Sequence, residues 1–238
     1  MKKLLNTTTL NKSSRFVNYL LTGIKSFFMK HFFMMAPEYR LAFKTLGKDF
    51  IPPEEIMRSR KRKGIIYTNE QIAQFKKTVP AQEVLEWCRE KNFILIAGPD
   101  RPISFFEINV MESDCFYFRK NGRYADRVFS QKDKVKTKWY MVCKIPVPES
   151  GFKRWEKQQV MISDVEIVPN SAELTWAITA YKKIRGIYLF RKFYVRTSSL
   201  GLDGCRIVIG NFNERGMLVD SVRDSACFKL LGLSVARR

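Results

Sequence analysis

Histidine is almost missing: His31 is the single copy in 238 residues, set in an apolar and basic stretch with no partner motif. This removes most chemistry that needs a histidine base or ligand. Cysteine is present but unpatterned. Cys88, Cys115, Cys143, Cys205 and Cys227 are odd in number and lack C-x-x-C spacing, so neither a zinc site nor a complete disulfide framework is indicated. A reducing, cytoplasmic setting follows. Glycine-rich phosphate loops, H-E-x-x-H and G-x-S-x-G are also missing, which leaves nucleotide-loop, zinc-protease and serine-hydrolase activities without a basis. No stretch reaches the ~18 uncharged residues of a membrane span.

What is present is enough for a packed core. Apolar residues make up 45% of the chain and aromatics 13%, which argues for a globular fold rather than global disorder. The length suits one large domain, or a modest domain with an appendage. Positive charge dominates, at a formal +20, and draws attention to nucleic acid, anionic membranes or acidic partners. Through Lys63 there are 14 Lys and Arg against 4 Asp and Glu, whereas the tail from Phe193 has 7 against 4. The excess is therefore concentrated at the N-terminal end.

The chain divides by pattern into residues 1–36, 37–92 and 93–238. The first part is basic and apolar, with Phe16 to Leu21, Phe27, Phe28 and Phe32 to Met35 interrupted by Lys25 and Lys30. It reads as a docking helix for a membrane or partner, or as an upstream extension of a start at Met34 or Met35. A secretory leader is the lesser alternative, because its apolar region begins late and no small-residue cleavage site follows. The second part is a helical module. Pro52-Pro53-Glu54-Glu55 opens a helix, Thr68 and Gln71 form a capping-box pattern, and Pro80 precedes the apolar Val84, Leu85 and Trp87. Between two of these helices, Arg58, Arg60, Lys61, Arg62 and Lys63 form a basic run that would contact phosphates or stand as a solvated turn.

In the third part, Phe93 to Ala97, Cys115 to Arg119 and Trp139 to Lys144 read as strands. Asn170 and Glu173 cap a helix carrying Leu174, Ala177, Ile178 and Tyr181 on one face, closed by Gly186. Several short strands then run to the C-terminus. Without βαβ alternation, the fold class is α+β. Asp164 and Glu166 would share a strand face as a carboxylate pair, although exposed acids of this kind are ordinarily structural. Trp139, Trp155 and Trp176 read as core, with Trp155 the best candidate for exposure.

Tyr194 to Ser199, Arg206 to Phe212, Gly216 to Val219 and Gly232 to Arg237 form a tail that resembles the end of the C-type lectin fold in bacterial and phage proteins. These include formylglycine-generating-enzyme-like domains and the variable target proteins of diversity-generating retroelements. The resemblance implies a non-enzymatic ligand-binding domain of short, mostly antiparallel strands, with no cofactor. Its partner would be a protein or cell-surface ligand held by the C-terminal loops. It points to Leu200, Gly201, Asp203 and Cys205 in one loop, and to Asp220, Ser221, Val222, Arg223, Asp224, Ser225 and Cys227 in another. Tyr194, Arg196, Ser198, Asn211 and Asn213 would flank them. Such retroelements randomise adenines, and residues 200–205 and 220–228 all belong to the set that AAC-type codons can reach. An ordinary polar loop has the same composition. The formylglycine branch implies a copper-dependent cysteine oxidase, for which Cys205 or Cys227 would serve, but the surroundings of both depart from its motif. The calcium-binding patterns of sugar-binding lectins are missing. Nucleic-acid binding through Arg58 to Lys63 is the reading from another class.

Overall fold

The computed structural model describes residues 36–117 and 127–238. His31, the N-terminal apolar stretch and the residues around Asn121 lie outside them. The fold is α+β. Its helices open as their sequences dictate. Helix α1 is Arg40–Leu46, and α2 (Pro53–Arg60) begins on a proline with Glu54 and Glu55 in the first turn, where acids meet the positive end of the helix dipole. Capping boxes open α3 (Asn69–Lys77) from Thr68 and the long α8 (Ser171–Arg185) from Asn170. Gly186, at φ 72°, ends α8 in the left-handed conformation that a side chain disfavours. The remaining helices are α4 (Gln82–Glu90), α5 (Phe105–Met111), α6 (Val128–Lys132) and α7 (Trp155–Gln159).

Two sheets divide the strands. One contains β1 (Phe50–Ile51), β2 (Phe93–Ala97), β5 (Trp139–Cys143) and β6 (Glu166–Ile167), with the terminal β11 (Ala236–Arg237) inserted between β5 and β6. The second contains β7 (Tyr194–Leu200), β8 (Arg206–Asn213) and β9 (Gly216–Val222) as an antiparallel meander, with β10 (Leu231–Leu233) parallel to β7 on its far edge. A small ladder joins β3 (Ile103–Ser104) to β4 (Lys134–Val135). Helix α8 is buried through most of its length, contacts both larger sheets, and donates its Trp176 indole N–H to the Ala97 carbonyl at 2.9 Å.

One strand expectation is corrected. Cys115 to Arg119 does not form a strand: Ser113–Cys115 is a 3-10 turn, and Phe116 makes a single bridge to Met217, while Arg119 lies outside the described residues. The closing segment Gly232 to Arg237 comprises parts of two strands, because the chain crosses from one sheet to the other at Ser234, whose hydroxyl donates to the Arg196 carbonyl at 2.6 Å. Trp155, the tryptophan with most claim to exposure, is core as read, at 8%. The helical segment shares its core with the rest of the described chain. Phe50–Ile51 pairs with β2 in parallel, and one apolar core runs from Tyr39 to Ala236. Among the described residues, no helix is long and apolar enough to cross a membrane.

Candidate functional site

The β7–β8 hairpin and the end of β9 meet at one end of the four-stranded sheet. Leu200 pairs with Arg206, and Arg206 with Val222, so residues 200–205 and 220–224 become neighbours although some 20 positions separate them. Gly201, Asp203, Asp220 and Ser221 line a shallow depression of about 70 Å³, floored by Phe129, Ile207 and Val219 and flanked by Arg127. Arg127 and Phe129 carry no local motif that would mark them in the sequence.

The hairpin is shaped by its own acid. The Asp203 carboxylate accepts from the Cys205 backbone N–H at 3.1 Å. A hydrogen bond from the Cys205 side chain, followed by this backbone bond, holds the Asp203 carboxyl below its usual range. The same hydrogen bond, with the exposed acid beside it, raises the Cys205 thiol above its ordinary value. Thiolate is the reactive form of cysteine, so Asp203→Asn is expected to speed alkylation of Cys205 several-fold at neutral pH. Mass-spectrometric timing of iodoacetamide labelling checks this, with the exposed Cys227 as internal reference. An unchanged rate would mean that Asp203 does not control the thiol.

Two buried arginines support these loops from beneath. Arg206 donates to the Asp224 carboxylate at 2.8 and 3.0 Å while its guanidinium lies 3.6 Å from the Trp155 ring centroid. Arg196 is fully buried. Its guanidinium donates to Gln158 Oε1 at 2.7 Å, to the Lys153 carbonyl at 3.1 Å and to the Ala226 carbonyl. Burial lowers its pKa from the ordinary arginine value, with the nearby Asp224 charge acting against that shift. The second loop is thus fixed at Asp224 and Ala226, while Arg223, Ser225 and Cys227 are exposed between and beyond those anchors.

The expected ligand set therefore separates into three groups. Ser198, Leu200, Gly201, Asp203, Cys205 and residues 220–227 belong to the loop end. Tyr194, Asn211 and Asn213 belong to the opposite end of the sheet, since Tyr194 pairs with Gly210 and the Asn213 side chain donates to the Asn211 carbonyl at 3.0 Å. Arg196 is part of the interior, not of a ligand surface, because it is fully buried and both terminal nitrogens of its guanidinium donate to protein acceptors.

The basic run is likewise divided. Arg58, Lys61 and Arg62 are exposed, but Arg60 is fully buried: its Nε donates to Glu112 at 2.9 Å, its NH2 donates to Thr179 Oγ1 at 2.9 Å, and its guanidinium lies 4.0 Å from the Trp176 ring centroid. Lys63 also binds Glu112, at 2.6 Å. Arg60 is unavailable to a phosphate. Glu112, Asp114 and Cys115 stand close enough to share a cation, yet Glu112 already serves Arg60, Lys63 and Lys183, so three protein cations occupy that position. The acids at 164 and 166 form no catalytic pair: Asp164 sits in a turn, and Glu166 accepts from the Ser163 N–H and hydroxyl at 2.9 Å each. Compared with protein-family models, curated proteins and solved structures, the chain matches none.

Proposed function

We propose that the chain is a non-enzymatic ligand-binding protein, with its binding surface formed by residues 200–205 and 220–228 on a C-type-lectin-like scaffold. The observation that carries this reading is the convergence of two loops, distant in sequence, on one depression above a rigid support. Exposed Asp203, Asp220, Ser221 and Arg223 face solvent, while Ile207, Ile209 and Val219 are core. This division between adaptable polar contacts and a fixed framework is what a binding surface tolerant of sequence change requires. In the retroelement-diversified form of the reading, change would be confined to the exposed loop positions.

The experiment is to sequence the DNA flanking the gene and search for a second copy of the codons for Val195 to Arg238. A copy that differs at adenines in codons of the exposed positions within 200–205 and 220–228, and agrees at Arg196, Arg206 and Asp224, is the expected result. If no copy exists, the diversified form fails. If the differences fall equally on the buried arginines, the proposed surface is wrong, because no variant lacking those anchors would keep its loops in place.

A further inference from the structure

Phe152 is an unusual residue in this fold. Its side chain is 67% exposed, and its backbone sits at φ 55°, a left-handed conformation that is uncommon for a bulky aromatic. Glu149, three residues earlier, is also left-handed at φ 60°. Such backbone persists only when its surroundings impose it, and here they do. The Phe152 N–H donates to the Phe228 carbonyl at 3.2 Å, and the Trp155 N–H to the Asp224 carbonyl at 3.0 Å. A Cβ on Gly151 would come within 2.5 Å of the Lys229 carbonyl oxygen, so the two segments touch backbone to backbone. Arg196 ties the same segments from below through the carbonyls of Lys153 and Ala226.

The product is a stiff platform that presents apolar groups outward. Phe228 is 41% exposed and Leu230 44% exposed, on the strand of chain that holds Phe152. Around them, residues 149–157 and 223–230 carry Lys153, Arg154, Lys157, Arg223 and Lys229 against Glu149, Glu156 and Asp224, and Asp224 is already engaged by Arg206. Apolar side chains that project from a rigid backbone, ringed by surplus cations, are what an anionic bilayer surface accepts: the rings enter the headgroup boundary and the cations meet phosphate. A protein recess would need acidic walls of matching shape. A lipid surface needs only the chemistry seen on this face.

We propose that the face formed by Phe152, Phe228 and Leu230 with Lys153, Arg154 and Lys229 docks peripherally on anionic lipid. This face lies outside the depression lined by Gly201, Asp203, Asp220 and Ser221, but it shares Phe228 with the second loop of the proposed binding surface. The test uses the full chain with Cys205→Ser, labelled on the exposed Cys227 with an environment-sensitive nitrobenzoxadiazole dye, and vesicles of phosphatidylcholine with or without phosphatidylglycerol. Expected are sedimentation with the anionic vesicles, weaker binding to neutral ones, and a blue shift of the dye on binding. Phe152→Ser combined with Phe228→Ser should weaken binding by about tenfold or more. Lys153→Glu with Lys229→Glu, which leaves both rings in place, should weaken it similarly and serves if the serine variant does not fold. Vesicle binding without the dye shift would place attachment elsewhere, such as residues 1–35, and overturn the proposal. So would absence of binding, equal binding to neutral vesicles, or binding unchanged in both sets of variants.

Discussion

Arg60→Ala should lower the free energy of unfolding by roughly 3–5 kcal/mol, the range expected when one member of a buried ion pair is removed and its partner left behind. Glu112, itself fully buried, would keep Lys63 and Lys183 but lose the partner that reaches it from the interior. Thr179 would lose a donor and Trp176 the cation against its ring. Burial already lowers the Arg60 pKa from its ordinary value, and Glu112 opposes the shift. Glu112 thus offsets part of the cost of burying that charge. Urea unfolding of Arg60→Ala beside Lys61→Ala checks the argument. Lys61 is exposed, and its loss should change stability by no more than about 0.5 kcal/mol. Comparable effects from the two substitutions would show that the buried pair does not tie α2 to the end of α5. Replacing Arg60 with Met and Glu112 with Leu together should recover part of the loss, since an apolar pair leaves no orphaned charge and both lysines can turn to solvent.

That one basic run contains both a structural arginine and exposed cations shows where sequence reading stops. Composition and spacing in Arg58 to Lys63 are the same for either role, and what selects Arg60 is Glu112, 52 positions away. Features encoded within a few residues are legible. The capping boxes at Thr68 and Asn170 open helices where the side chains say they should, and the apolar run Phe93 to Ala97 is a fully buried strand. Ser104 and Glu107 carry the same capping signature and open α5, which a reading of the central region as strands and loops passes over. Pairings between distant segments are not local properties. Nothing within Phe50–Ile51 announces a parallel partner in β2, and nothing within Gly232 to Arg237 announces a change of sheet at Ser234. At the candidate site, the meander brings the two loops to one end because consecutive antiparallel strands do so automatically. Arg127 and Phe129 reach the depression only through tertiary packing.

Arg196→Met should cost on the order of 3 kcal/mol and loosen the second loop selectively. Methionine fills much of the same volume, so the cavity contribution is small. The loss comes from acceptors stripped of their donor: Gln158 Oε1, buried with its whole residue, and the carbonyls of Lys153 and Ala226. Each unpaired buried acceptor costs about 1–3 kcal/mol, partly offset because a desolvated guanidinium is no longer buried. The Gln158 amide still donates to the carbonyls of Ser150 and Leu231 at 2.7 and 3.0 Å, so α7 stays seated while the tie to residue 226 is cut. Hydrogen exchange should therefore quicken at Ala226 and its neighbours more than along β8, with urea unfolding giving the global cost. If protection fell evenly across the sheet, Arg196 would be an ordinary core residue rather than the anchor of the loop. If neither stability nor exchange changed, the exposed positions between Asp224 and Phe228 would need another support to stay in place while their side chains vary.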